Sequence, residues 1–336
     1  MALENEQADL VLEGGGVKGI GLVGALAELE QRGWRRACVA GTSAGAITAA
    51  LLAADYRAEE LRRILLELDF HKFEDRGWED RIPGGELFSI IKDKGIFEGD
   101  YLLDWIEGLL ADKGIRTFAN LRNKPEEDNP KRRYLLRVIA SDVTGRQLLA
   151  LPQDAEHVGI EPDDLSVARA VRMSMSIPLF FEPVRAGGHL IVDGGLLSNF
   201  PVWLFDTHDP RPRWPTFGLL LVEPKPRESV AERLPGDGDR IGFVDFLKAI
   251  GQTMLEAHDR LYLEQADFAR TIPIPTLGVR TTEFDLPREK ALALYESGRK
   301  AAEEFLDSWD TEEYLKRYRS GGPQPSRRAS VRPSSG

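Results

Sequence analysis

Two short apolar runs open the chain, and each passes through a glycine-rich break into a stretch with helical spacing. Residues 8–12 lead through Gly14-Gly15-Gly16 into a helical run over 19–32, and residues 37–40 lead through Gly41-Thr42-Ser43 into an alanine-rich run over 44–54. A strand, loop and helix repeated at that spacing predict a parallel sheet with covering helices. Helical spacing recurs over 61–68 and 101–110, with Asp100 placed as an N-cap whose carboxylate accepts a bond from a first-turn amide. Further strands are predicted over 134–140, 147–151, 180–184, 189–192 and 216–222, and the pairs Thr144-Gly145 and Gly187-Gly188 predict hairpin turns. An acidic, proline-bearing loop over 223–240 precedes two more helical stretches, 243–268 and 288–309.

The last stretch, 320–336, is poor in apolar residues and rich in Ser, Pro, Gly and Arg. It buries too little surface to offset its chain entropy and is predicted to be a disordered tail, with Arg327, Arg328 and Ser330 in solvent. The rest is globular material: 336 residues, 42% hydrophobic and 29% charged. A net charge of −11, from 44 basic and 55 acidic side chains, argues against broad nucleic-acid binding, which needs a cationic face to displace counterions. Cys38 is the single cysteine and cannot form an internal disulfide, so a reducing compartment is the simplest setting. The first ten residues are acidic with no basic start before an apolar block, which is not the pattern of a secretory signal. No stretch of about 18 apolar residues runs without a charge, so no bilayer-spanning helix is predicted. The expected location is cytoplasmic, with any membrane contact peripheral.

Three motifs carry chemistry. Gly41-Thr42-Ser43-Ala44-Gly45 is a G-x-S-x-G between an apolar strand and an Ala-rich helix. A serine that exposes its hydroxyl at such a turn needs neighbours without bulk, and the helix adds its positive end next to it. The alternative is a plain helix N-cap serine; the strand-to-helix context favours a nucleophile. Gly14-Gly15-Gly16-Val17-Lys18-Gly19 also ends a strand and opens a helix, and its consecutive glycines expose amides that can converge on an anion. It matches G-x-G-x-x-G as well, yet a dinucleotide site expects an acidic residue at the end of the second strand, where Gly41-Thr42-Ser43 stands instead. A P-loop fails too, because no Gly-Lys-Ser/Thr follows. Asp193-Gly194-Gly195 leaves the apolar run 189–192 and has two readings: a turn aspartate bonding its own chain, or a carboxylate brought close to another backbone by its glycines.

A conventional triad needs an imidazole between serine and carboxylate. Of His71, His157, His189, His208 and His258, only the last two follow the acid in chain order, and both sit among charged residues as structural or surface side chains. Residues 236–242 make no calcium loop, since Lys248 stands where counting from Asp237 calls for a bidentate glutamate. The apolar residues between 69 and 110, among them Phe70, Trp78, Phe88 and Trp105, fit a lid or acyl groove and equally fit ordinary helices packed on the sheet.

Glycine loop, serine turn and Asp-Gly-Gly in this order resemble the patatin-like phospholipase family, and Ser174-Met175-Ser176-Ile177-Pro178 with Phe180-Phe181 resembles its segment before the final hairpin. The one departure is mild: Asp-Gly-Gly stands where Asp-Gly-Ala is also common. The resemblance implies a three-layer α/β/α fold with a mostly parallel central sheet and a serine nucleophile elbow. It implies a catalytic core over 9–206, after a short extension at 1–8, with a continuation over 207–319 packed on the same domain and the tail at 320–336. It further implies a lipid acyl hydrolase with a histidine-free dyad of Ser43 as nucleophile and Asp193 as base. Amides of the loop Gly14, Gly15, Gly16, Val17, Lys18 and Gly19 would form the oxyanion hole, Lys18 acting structurally or electrostatically, with Gly41, Thr42, Ala44 and Gly45 as the elbow and Gly194 and Gly195 completing the third motif. No cofactor and no metal is expected; the implied substrate is a phospholipid or another acyl ester. Two other readings accompany this one: an acyltransferase or thioesterase on the same site, and a non-catalytic membrane-recruited protein, which would be expected to lack Ser43 or Asp193.

Overall fold

The first two apolar runs form neighbouring parallel strands, β1 (Gln7–Leu12) and β2 (Arg35–Thr42), with α1 (Gly19–Gln31) crossing between them and α2 (Ala44–Ala53) leaving β2. The structure, a computed structural model, describes residues 6–69, 72, 97–178, 180–207, 209–223, 265–281 and 283–319. α3 (Ala58–Glu67) and α4 (Asp100–Asp112) precede β3 (Leu136–Asp142), which pairs in parallel with β2 and turns at Thr144-Gly145 into the antiparallel β4 (Gln147–Leu151). α5 (Val167–Ser174) leads to the hairpin of β5 (Val184–Ala186) and β6 (His189–Asp193), closed at Gly187-Gly188. On the far side β7 (Thr216–Val222) and β8 (Thr271–Pro275) extend the sheet in parallel before α6 (Arg288–Ser308). The strand order is β5-β6-β3-β2-β1-β7-β8, with β4 paired to β3 off this path.

Alternating strand residues face opposite sides of the sheet. Leu10, Leu12, Val138 and Leu219 share a core with Leu22, Leu51, Val171 and Leu294 of the helices, whereas Val11, Ala40, Ile139 and Leu220 pack on Phe200, Val202 and Phe205. The sheet is therefore a middle layer buried on both faces, as parallel strands require.

One irregularity of the sheet brings two distant strand ends together. β4 pairs with Val138–Asp142 of β3; β2 pairs with residues 136–139 and β6 with residues 140–142 of the same strand. Since β4 occupies one edge, β2 and β6 share the other, running in opposite directions until their ends meet. Thr42 pairs with Ile139 and Asp193 with Ala140, so two strands from distant parts of the chain terminate head to head on adjacent residues.

Some elements differ from the pattern-based expectation. Asp100 is not the cap of α4: Gly99 is, at φ 76°, and a Cβ on it would lie 2.4 Å from Nε of Arg172. Asp100 sits instead in the first turn, where its charge still favours the helix dipole. The strand predicted at 180–184 is reduced to a bridge between Phe97 and Phe181, with pairing resumed only at Val184. β8 was not expected, because Pro273 and Pro275 cannot donate to a ladder; at a sheet edge, two residues apart, both turn the missing N–H the same way. The loop over 223–240 beyond Glu223, the helix over 243–268 up to its final turn, the apolar segment from Phe70 to Ile96 except Lys72, and the tail lie outside the described residues.

α6 packs directly on α1 through small residues. A Cβ on Gly24 would stand 1.9 Å from the Tyr295 carbonyl oxygen, and one on Gly298 would stand 1.9 Å from that of Gly21. An exposed mid-helix Gly→Ala change stabilises by roughly 1 kcal/mol. At Gly298 the opposite sign is predicted: Gly298→Ala lowers the urea midpoint, by about 1–3 kcal/mol of stability from overpacking. A raised midpoint would show that the helices do not meet backbone to backbone.

Candidate active site

The head-to-head strand ends place Ser43 and Asp193 beside each other. Ser43 follows β2 directly and has φ 53° and ψ −129°, a strained conformation for a residue with a side chain. The turn closes because its flanks have no bulk: a Cβ on Gly41 would stand 2.2 Å from the Gly45 carbonyl oxygen, and one on Gly45 would stand 2.5 Å from those of Leu12 and Glu13. Asp193 ends β6, and Gly194 follows so tightly that a Cβ there would lie 2.3 Å from the Ile139 carbonyl oxygen. Both residues are buried, Ser43 at 5% exposure and Asp193 at 0%.

The segment after α5 staples the two ends together. The Ser43 amide donates to Ser174 Oγ at 2.9 Å, and that hydroxyl donates to the Ile139 carbonyl at 2.6 Å. The Asp193 amide donates to the Ser176 carbonyl at 2.9 Å. Arg172 holds the segment in turn, donating from Nη1 to Ser176 Oγ at 2.6 Å and from Nη2 to the Glu182 carbonyl at 3.1 Å. Met175, between the two serines, lies against the Ser43 hydroxyl: its Sδ is 3.7 Å from Ser43 Oγ.

Asp193 uses one carboxylate oxygen locally and leaves the other unengaged. Oδ1 accepts from the Gly195 amide at 2.7 Å, which is the turn-aspartate role, while Oδ2 has no hydrogen-bond partner among the described residues. Burial lifts the carboxyl from its ordinary 3.8 to about 7, opposed by the nearby Ser43 hydroxyl and by the Gly195 amide. That hydroxyl is close enough to lower the carboxyl, while Oδ2 has no hydrogen-bond partner among the described residues. Asp9 offers the comparison within the same sheet. It too is buried, yet Arg132 donates to it at 3.0 and 2.6 Å, and it is raised only to about 6.

In the glycine loop, four of six amides are engaged. Gly14 donates to the Asn199 carbonyl at 3.3 Å, Val17 to that of Thr281 at 3.2 Å, Lys18 to that of Gly15 at 3.2 Å, and Gly19 to that of Gly16. Among the described residues, the amides of Gly15 and Gly16 have no acceptor. Asn199 clamps the loop, its Nδ2 donating to the Gly14 carbonyl at 3.0 Å and to Glu13 Oε1 at 3.3 Å. Lys18 Nζ lies 3.7 Å from Glu223 Oε1, so the buried lysine is ion-paired with a partly exposed glutamate. Ser43, Gly14, Gly15, Lys18, Asn199 and Thr281 line one small cleft. Neither described histidine lines it: His189 Nδ1 is 2.8 Å from Asp142 Oδ2, and His157 Nδ1 is 3.3 Å from the Asp154 carbonyl. His71, His208 and His258 lie outside the described residues. No group of three or more His, Cys, Asp or Glu among the described residues could hold a metal ion.

Sequence reasoning did not single out Ser174, Ser176, Asn199 or Thr281 for what they do here. The first two stood in a motif without a role, and Asn199 and Thr281 carried no local signal.

A mixed sheet with a glycine loop after its first strand and a strained serine after its second defines the patatin class of α/β proteins. The chain belongs to the patatin-like phospholipase family, whose model matches residues 10–206. The uncharacterized protein YqhO of Bacillus subtilis is 40% identical over 307 residues, 90% of this chain and 98% of that one. The probable lipid hydrolase 463L of Invertebrate iridescent virus 6 is 25% identical over 193 residues, 57% of this chain and 61% of that protein. Among solved structures, VipD from Legionella pneumophila shares the fold, with a TM-score of 0.54 at 20% identity over 90% of this chain and 67% of that one.

The raised carboxyl of Asp193 has a signature in stability. Between its ordinary 3.8 and about 7 the folded protein keeps a proton that the unfolded chain has lost. The group's contribution is thus fully present below the lower value and disappears as pH rises through the upper one. Asp193→Asn removes this term, so the melting temperature of the variant minus that of wild type is predicted to increase from pH 5 to pH 8. A difference that does not change with pH would contradict the raised carboxyl.

Proposed function

We propose that the protein is a lipid acyl hydrolase, of the phospholipase A, lysophospholipase or non-specific esterase kind, acting through a Ser43–Asp193 dyad. The observation that carries this is the unengaged, fully buried Oδ2 of Asp193 beside a serine held at a strained strand-to-helix turn. A carboxyl raised to about 7 is basic enough to take a proton near neutral pH, which an ordinary carboxylate is not.

The steps follow from the positions. The Ser43 side chain rotates from Met175 towards Oδ2, gives up its proton and attacks the ester carbonyl carbon. The carbonyl oxygen gains charge and is stabilised by the Gly15 and Gly16 amides, donors with no prior commitment, with the start of α2 adding its positive end. Asp193 passes the proton to the departing alcohol, leaving an acyl-Ser43 ester. Water then gives its proton to Asp193, attacks the acyl carbon, and Ser43 leaves with the proton returned. A buried carboxylate without a cation suits both transfers, because neither protonation state is strongly favoured near neutrality. Among the described residues no helix is long and apolar enough to cross a membrane.

Ser43→Ala is predicted to fold as wild type and to lose hydrolysis of p-nitrophenyl butyrate by at least about 10⁴-fold. In wild type, kcat/KM should rise with pH and level off above about 7 as Asp193 loses its proton. A variant keeping more than a tenth of the activity would remove Ser43 from the mechanism, and a flat profile from pH 5 to 8 would remove Asp193.

A further inference from the structure

On the other side of the glycine loop lies a second cavity, of about 120 Å³. Ile20 of α1, Ile47 of α2, and Leu65 and Leu68 from the end of α3 form one side; Phe284 and Leu286 form the other. Four of its lining residues belong to the site already described: Gly16, Val17 and Gly19 of the glycine loop, Gly16 carrying one of the two uncommitted amides, and Ala44, which follows Ser43. Through Ala44 and Gly16 the wall of this cavity is continuous in sequence with Ser43 and Gly15, which line the cleft already described. Its walls are mostly apolar, with Thr48 and Arg288 also lining it, and its volume corresponds to about four water molecules, room for a few methylenes. Each methylene transferred into it from water is favoured by roughly fourfold.

Four of the described lining residues, Phe284, Leu286, Arg288 and Ala291, lie outside residues 10–206, the part matched by the family model. Phe284, Leu286 and Ala291 come from the continuation, whose placement against the loop is fixed by the Val17 amide donating to the Thr281 carbonyl at 3.2 Å. A Cβ on Gly16 would stand 2.0 Å from that same carbonyl oxygen, so the two segments touch at backbone level. Phe284 is anchored from behind by Phe180, ring centroids 5.3 Å apart.

We propose that this cavity is the acyl-chain subsite, and that Phe284, Leu286 and Ala291 set the chain length the enzyme accepts, favouring short straight acyl groups. The inference rests on Ser43 acting in acyl transfer. It gives the continuation a specificity role that the matched core does not contain.

Ala291→Phe places a ring in the cavity without touching the Ser43 cleft, and Leu286→Ala enlarges the cavity. Both are assayed with wild type on p-nitrophenyl acetate, butyrate, octanoate and palmitate. Ala291→Phe is expected to lower the ratio of butyrate to acetate kcat/KM at least tenfold. Leu286→Ala is expected to shift the optimum towards octanoate or palmitate. If wild type hydrolyses all four esters and both variants change them by the same factor, the subsite is wrong while the hydrolase reading stands. If wild type hydrolyses none, both readings fall.

Discussion

The structure turns on one edge of β3, where β2 and β6 arrive from opposite directions and stop against each other. An edge offers only so many backbone groups, and where one partner strand leaves off the other must begin. Two residues distant in sequence are thereby delivered to adjacent positions, each at the end of a strand, where the backbone is free to turn away. The glycines at 41, 45 and 194 follow from that crowding, since a Cβ at any of them would overlap a carbonyl oxygen. The same edge also receives the Ser174 hydroxyl, on the Ile139 carbonyl, so the segment that holds Ser43 is referenced to the strand that positions Asp193.

Burial without a countercharge is the second consequence. Asp9 and Asp193 sit in one sheet with similar burial, and the difference lies in Arg132, which gives Asp9 an ion pair and a structural role. Asp193 has only the Gly195 amide and the reach of Ser43. A carboxylate in that setting destabilises the fold when ionised, and the same term raises its proton affinity towards neutral pH, which is what the proposed base role requires. Cys38 shows burial acting without such use: its thiol is pushed up to about 12 and donates weakly to the Arg132 carbonyl at 4.0 Å.

Much of this was legible in the sequence because the signals are local. Gly41-Thr42-Ser43-Ala44-Gly45 announces its turn by residue type alone, and the strands and helices around it follow their hydrophobic periods to within a residue or two. Three things were not legible. Gly99 replaces Asp100 as the cap because Arg172, far along the chain, fills the space beside it. β8 is written with prolines that argue against a strand until its edge position is known. The staple by Ser174 spans 131 residues to Ser43, and nothing within a short window distinguishes it from any buried serine. Within the glycine loop the sequence offered six amides; contacts with Asn199 and Thr281 engage two, the loop's own turn engages two more, and two are left.

The continuation beyond the matched core is part of the same sheet through β7 and β8, and it closes on the glycine loop through Thr281 and on α1 through α6. The whole account depends on Ser43 being a nucleophile activated by Asp193. The direct measurement is the rate of covalent labelling by a fluorophosphonate, with the modified peptide located by mass spectrometry. The account predicts one label, on Ser43, formed more slowly as pH falls below about 7 and suppressed in Asp193→Asn. A label on another serine, or a Ser43 that reacts equally fast in the variant, would contradict it.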